Sequence, residues 1–136
     1  MAKMTLFSDG GARGNPGPAA FGIVLKDENC ETIFSSNRYL GTKTNNEAEY
    51  MGLIAGLMAG TDKGASEIIC YLDSELIVKQ LKGVYKVKND RMKEFWKKAK
   101  ELERDYKKVT YVHIPRTENK EADALVNEAL DEKNGI

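Results

Sequence analysis

The chain has 136 residues, of which 41% are hydrophobic and 31% charged. This length is enough for one hydrophobic core, and the composition is that of a globular protein and not of a fibrous or disordered one. No apolar run reaches the length of a membrane-spanning helix and the first residues lack a signal-peptide pattern, so we predict a single cytoplasmic domain over residues 1–136, not associated with a membrane. The formal net charge is zero, so the total charge neither favours nor excludes a polyanionic partner.

Strands and helices are predicted to alternate after an antiparallel start. Apolar and β-branched runs predict strands at residues 3–8, 20–26, 32–39, 67–72 and 109–114. Helical spacing predicts helices at residues 45–60, 74–81, 91–106 and 120–131. The first three strands follow one another through loops and turns, which is typical of an antiparallel meander. This order predicts an α/β fold whose mixed sheet carries helices on its faces.

The first strand runs into the stretch FSDGGARGNPGP, whose composition predicts a loop over residues 10–18, directly after Asp9. Glycine-rich loops can hold phosphate groups. This one has neither the Gly-Lys-Ser/Thr ending nor a GxGxxG pattern, and it precedes a strand instead of a helix. A nucleotide-binding loop is therefore excluded.

Small residues recur every fourth position of the first predicted helix, at Ala48, Gly52, Gly56 and Gly60. Glycine inside a helix costs roughly 1 kcal/mol against alanine. The spacing therefore indicates a face that another backbone approaches closely, with coincidence in a glycine-rich helix as the alternative.

Positive charge is concentrated between Lys79 and Lys108, where twelve Lys and Arg residues stand against five Asp and Glu. The excess predicts a surface for an acidic polymer, with a solvated helix face as the alternative.

Four carboxylates occupy positions where they do not help folding. Asp9 and Asp73 follow apolar strands, Glu49 lies in the early turns of a helix, and Asp123 lies near the start of the last helix. Strand ends and helix starts are where sites assemble in α/β sheets. Like charges at close range need a cation or a bound proton, and carboxylates without a lysine suit Mg²⁺ or Mn²⁺ better than zinc. Each carboxylate alone is explained by a cap or turn, but the coincidence of four favours a metal site.

Four stretches, in this order and spacing, resemble type 1 ribonuclease H: FSDGGARGNPGPAAFG, TNNEAEY, YLDSELIVKQL and HIPRTENKEADALVNEAL. The resemblance covers residues 3–130 and points to the small bacterial and archaeal branch of that family. It implies a ribonuclease H-like fold, in which a five-stranded mixed sheet has three antiparallel strands, then two parallel ones, and helices on both faces. It also implies a monomer without an obligate protein partner.

The activity implied by the resemblance is endonucleolytic hydrolysis of the RNA strand of an RNA–DNA hybrid. Two Mg²⁺ or Mn²⁺ ions per active site are expected, and products with 5′-phosphate and 3′-hydroxyl ends. The family's metal ligands and catalytic carboxylates fall on Asp9, Glu49, Asp73 and Asp123. His113, the only histidine, matches an auxiliary catalytic residue, with a structural role as the alternative.

The ligand in the TNNEAEY stretch is Glu49, because it is the third residue after the second asparagine of the motif. Glu47 lies about 200° away around the helix, so it is expected at the surface. The candidate substrate contacts are Gly10, Gly11, Arg13, Asn15, Thr44, Asn45, Asn46, Ser74, Arg116 and Asn119.

The segment LKGVYKVKNDR, residues 81–91, is too short for the basic protrusion that some family members use to bind the hybrid. Binding is therefore expected to depend on Lys82, Lys86, Lys88 and the lysines of the following helix. Two alternatives are a non-catalytic nucleic-acid-binding module, and a nuclease of this fold acting on double-stranded RNA or DNA junctions. The four carboxylates argue against a binding module, because negative charge beside phosphates weakens binding.

Overall fold

The computed structural model describes residues 2–133, which form a five-stranded sheet flanked by four α-helices. The strands are β1 (Ala2–Ala12), β2 (Gly17–Lys26), β3 (Thr32–Lys43), β4 (Ala65–Leu72) and β5 (Lys108–His113). The helices are α1 (Asn45–Asp62), α2 (Glu75–Leu81), α3 (Asp90–Glu103) and α4 (Lys120–Lys133), and a short 3-10 turn (Arg116–Glu118) precedes α4. Within residues 2–133, no helix combines the length and the apolar character needed to cross a membrane.

The strand order is β3-β2-β1-β4-β5. The first three strands are antiparallel, whereas β4 is parallel to β1 and β5 is parallel to β4. Leu6 of β1 and Leu57 of α1 belong to a buried cluster that also includes residues of α2 and α3, while Ala20 of β2 packs with Val126 of α4. Neighbouring residues of a strand point to opposite faces. Helices therefore cover both faces, and the predicted mixed α/β fold is confirmed.

Strand β1 is longer than the sequence predicts. It continues past Asp9 through Gly10, Gly11 and Ala12, all of which pair with β2. The loop predicted over residues 10–18 is therefore wrong over most of its length and shrinks to residues 13–16. Asp9, expected at the strand end, lies inside the strand opposite Gly22.

Close packing of α1 on β1 explains Gly10 of the strand and two glycines of the helix. A Cβ atom on Gly10 would overlap the backbone of Ala48 in α1. A Cβ atom on Gly52 would stand 3.1 Å from the carbonyl oxygen of Asp9, and one on Gly56 would overlap a leucine side chain of β1. The predicted close approach of another backbone to this helix face is thus confirmed at Ala48 and Gly52.

We predict that Gly10→Ala lowers the free energy of unfolding by about 1–3 kcal/mol or more, because the added methyl group forces α1 away from β1. Gly11→Ala is the matched control: its nearest neighbour outside the adjoining residues would be the Asn45 side chain at 3.8 Å, an ordinary contact. Urea denaturation of both variants measures the difference. Equal destabilisation by the two substitutions would contradict the close-packing explanation.

Candidate active site

Three carboxylates converge where α1 crosses β1. Asp9 lies inside β1, Asp73 follows the last residue of β4, and Glu49 lies in the second turn of α1. One carboxylate oxygen from each lies within 4.8 Å of the others. Asp9 and Glu49 are only 7% and 5% exposed, so two of the three charges are buried. Asp123, in the first turn of α4, lines the same open groove of about 510 Å³.

Burial makes this cluster electrostatically costly. It raises the pKa of Asp9 to about 7, with added repulsion from Asp73. Burial and then the charge of Asp9 raise the pKa of Glu49 well above its ordinary value. The pKa of Asp73 is also raised by burial, against the opposing effects of Asn119 and Arg116. Ionising all three groups together therefore costs free energy unless a positive charge compensates them.

The three carboxylates have the properties of a binding site for a divalent cation. The only cations lining the groove in the described part of the chain are Arg13 and Arg116, and each already contacts an aspartate, Asp131 and Asp123 respectively. The Oε2 atom of Glu49 is buried and has no hydrogen-bond partner within residues 2–133. Clustered oxygen ligands with an unsatisfied lone pair fit Mg²⁺ or Mn²⁺.

The backbone of Gly10 links two members of the cluster. Its N–H donates to Asp9 Oδ1 at 2.9 Å and to Glu49 Oε1 at 3.0 Å. The close contact of Gly10 with Ala48 brings Glu49 within reach of this donor. The glycine that sequence patterns assign to a loop therefore positions the α1 carboxylate against β1.

Asp123 is held from two sides. Arg116 approaches its Oδ1 atom at 3.4 Å, and Asn127 approaches its Oδ2 atom at 3.4 Å. Asn127 also lines the groove, and sequence reasoning missed it. Its position four residues after Asp123 places it on the same face of α4, which is the signal that could have identified it.

The groove brings together seven of the ten candidate substrate contacts: Gly10, Gly11, Arg13, Asn45, Asn46, Ser74 and Arg116. Asn45 connects the β1–β2 hairpin to the start of α1, because its Oδ1 accepts from Ala12 N–H at 2.7 Å and its own N–H donates to Asn15 Oδ1 at 3.0 Å. These contacts fix one wall of the groove.

The other candidate residues lie outside the lining of the groove. Thr44 caps α1, Asn15 holds the hairpin, and Asn119 is 1% exposed. His113 is exposed at the end of β5, in register with Leu72, the last residue of β4. It therefore lies beside the strand that leads to the carboxylates and is not among the residues that line the groove.

The prediction that Glu47 lies at the surface is wrong, because its side chain is buried and the residue is only 6% exposed. It completes a capping box with Thr44, and its other oxygen pairs with Arg91 at the start of α3. A charged side chain is buried here because a tertiary ion pair and a helix cap satisfy it together.

A second groove, of about 520 Å³, lies between α2 and α3. Four lysines and several apolar or aromatic side chains line it: Lys86, Lys88, Lys93, Lys97, Tyr85, Val87 and Trp96. Four of the twelve basic residues counted in this part of the sequence therefore line one surface, which we call the lysine groove. The carboxylates and the lysine groove occupy separate regions of the molecule.

Comparison with known proteins places the chain among established relatives. A family model described as "Reverse transcriptase-like" matches residues 7–129. The bifunctional protein Rv2228c of Mycobacterium tuberculosis is 40% identical over 130 residues, which are 95% of this chain and 36% of that protein. Ribonuclease HI of Halobacterium salinarum is also 40% identical over 130 residues, covering 96% of this chain and 65% of that protein. The chain thus spans only part of the length of either relative.

Two solved structures agree with these matches over nearly the whole chain. RNase H1 from Halobacterium salinarum has a TM-score of 0.93 and 39% identity, covering 96% of this chain and 98% of that one. LC11-RNase H1, isolated from compost by a metagenomic approach, has been solved in complex with an RNA/DNA hybrid; it has a TM-score of 0.91 and 44% identity, with coverage of 96% and 98%. Sequence and structure together show that the chain belongs to the ribonuclease H family.

Proposed function

We propose that this protein is a metal-dependent endonuclease that hydrolyses the RNA strand of RNA–DNA hybrids, leaving 5′-phosphate and 3′-hydroxyl ends. The convergence of Asp9, Glu49 and Asp73 within 4.8 Å, beside an open polar groove, is the observation that carries the proposal. The hybrid bound by LC11-RNase H1, a relative 44% identical to this chain, supports the choice of substrate.

The four carboxylates would hold two Mg²⁺ or Mn²⁺ ions, with Asp9 central because its carboxylate interacts with those of Glu49, Asp73 and Asp123. When bound, such ions would supply two kinds of chemistry: a lower pKa for an attacking water and compensation of the charge that develops on the leaving oxygen. The protein itself contributes rigidity. Asp9 stands in a sheet strand and Glu49 in a helix packed on it, so the ligands are placed before substrate arrives.

The hairpin and the start of α1 would form the wall that faces the RNA strand. Asn45 and Asn46 are exposed at this wall, and Gly11 beside them carries no side chain that would keep a sugar away. Neutral donors and acceptors at such a wall suit recognition of 2′-hydroxyl groups, which distinguish RNA from DNA.

The lysine groove would bind phosphates of the hybrid away from the reaction centre. Its lysines extend from the α2–α3 segment onto α3. The groove with the carboxylates is lined by acidic and neutral residues and by two arginines, Arg13 and Arg116, each of which already contacts an aspartate. The lysine groove therefore attracts a polyanion, whereas the groove with the carboxylates repels it unless cations are bound there.

We predict that Asp9→Asn abolishes cleavage of a labelled RNA–DNA hybrid, with a loss of at least a thousandfold, because a central cation ligand is removed. Binding of the hybrid should persist or tighten, since a negative charge near the phosphates is lost. Gel assays with hybrid, double-stranded RNA and duplex DNA, each with Mg²⁺ or Mn²⁺, measure activity and substrate choice together.

Asp62→Asn is the control for this variant, because Asp62 is an exposed aspartate at the far end of α1. Its activity should equal that of the wild type. Failure of the wild-type protein to cleave the hybrid with either metal would contradict the proposed function, and so would full activity of Asp9→Asn.

We predict that the metal-free wild type loses stability between pH 5 and pH 8. The pKa of Asp9 is about 7 in the folded protein, against an ordinary value of 3.8. Between these two values the folded protein therefore binds a proton that the unfolded chain has already lost. The stability that this proton confers is fully present below pH 3.8 and is lost as the pH rises through about 7. Asp9→Asn should therefore exceed the wild type in free energy of unfolding at pH 8, by on the order of 1–3 kcal/mol, and by less at pH 5. Urea denaturation in a chelator tests this. A difference that does not change with pH would contradict it.

We predict that affinity for the hybrid falls steeply with salt. For duplex DNA the logarithmic slope changes by about 0.9 for each phosphate neutralised, so Lys88→Ala should weaken binding and lower the slope by about 1. Lys63→Ala is the control, because Lys63 follows the last turn of α1 and is not among the residues that line the lysine groove. Binding isotherms without divalent cations, from low to moderate salt, provide the slopes. A flat dependence, or equal effects of both variants, would exclude the lysine groove as a phosphate-binding surface.

A further inference from the structure

Asn119 lies behind the carboxylates and not on the wall of the groove. It stands between the 3-10 turn and α4 and is 1% exposed, one of the most buried polar residues in the described chain. A side chain with so little exposed area offers no surface to a nucleic-acid strand. Its contacts therefore call for a role other than the direct substrate contact suggested by the sequence.

The carboxamide nitrogen of Asn119 joins two of the strands that carry the carboxylates. Nδ2 donates to the carbonyl oxygen of Ser8 at 2.9 Å and approaches Asp73 Oδ2 at 3.5 Å. Both partners are acceptors, so the amide orientation is determined: the nitrogen must face them. Ser8 immediately precedes Asp9 in β1, so one amide group connects the backbone beside Asp9 with the carboxylate of Asp73.

The main chain of Asn119 adds a third connection. Its carbonyl oxygen accepts from the N–H of Asp123 at 3.1 Å, and its own N–H donates to the carbonyl oxygen of Arg116 at 3.0 Å. The residue thus touches β1, the end of β4 and the first turn of α4. These are the segments that supply Asp9, Asp73 and Asp123.

We infer that Asn119 is a positioning residue, which holds Asp73 at a fixed separation from Asp9 and thereby sets the affinity of the cluster for divalent cations. The inference rests on the proposed function for its catalytic consequence only, because cation affinity is measured without substrate. It also replaces the substrate contact suggested by the sequence with an indirect role.

The chemistry of the side chain suits this position. A lysine or arginine would neutralise the carboxylates itself and compete with a cation. An apolar residue would leave the buried carbonyl oxygen of Ser8 without its donor, which is costly. An uncharged amide donor directs the carboxylate of Asp73 while leaving the negative charge of the cluster available.

The test compares Asn119→Ala and Asn119→Val with Asn37→Ala in the full chain. Valine is closer in volume to asparagine than alanine is and supplies no donor, so Asn119→Val keeps more of the packing if the alanine variant fails to fold. Asn37 is the matched control, because its Nδ2 also donates to a backbone carbonyl, that of Leu125 at 2.8 Å, but joins β3 to α4 outside the groove. Calorimetry of Mn²⁺ binding and binding of the hybrid without divalent cations are measured for each variant whose circular dichroism is native.

Loss of a partner that orients a metal ligand typically costs 10–100-fold in metal affinity. We expect a loss of that size in Mn²⁺ affinity for both Asn119 variants, wild-type Mn²⁺ affinity for Asn37→Ala, and metal-free hybrid affinity within about twofold of wild type for all three. Unchanged Mn²⁺ affinity of the Asn119 variants, or weakened metal-free hybrid binding by them, would overturn the positioning role. If the Asn119 variants bind Mn²⁺ more weakly than the wild type but the wild type cleaves no hybrid, the proposed function is overturned and the positioning role stands.

Discussion

Repulsion among Asp9, Glu49 and Asp73 is the constraint on which the rest of the site depends. Their oxygens lie within 4.8 Å of one another, and burial raises the pKa of each. A flexible chain would separate such groups. They stay together because each is attached to a different packed element, and because α1 can approach β1 closely where Gly10 carries no side chain. The stability of the sheet and its helices offsets the electrostatic cost.

The donors that surround the three carboxylates are mostly neutral. The Gly10 N–H joins Asp9 to Glu49, and the Asn119 amide joins the strand of Asp9 to Asp73. Neutral donors orient carboxylates without cancelling their charge. Of the two arginines in the groove, Arg13 pairs with Asp131 and Arg116 contacts Asp123, so the negative potential at Asp9 and Glu49 remains for divalent cations.

Charge in this protein is separated in space although its sum is zero. The acidic cluster lies between β1, β4 and the starts of α1 and α4, while the lysine groove lies between α2 and α3. A nucleic acid can thus be attracted by one surface and processed at another. One ion pair connects the two regions: Glu47 at the start of α1 pairs with Arg91 at the start of α3. It links α3, which carries part of the lysine groove, to α1, which carries Glu49.

The sequence by itself determined the order of strands and helices, the four carboxylates and the basic segment, because periodicity, motif spacing and charge are local properties of a chain. The position of Asp9 inside a continuing strand, the burial of Glu47 and Asn119, and the place of Asn127 beside Asp123 were decided only by the tertiary structure. Glycine is compatible with both a loop and a crowded strand, and only the approach of α1 distinguishes them. A polar residue becomes buried when partners distant in sequence satisfy it, and no local pattern records those partners.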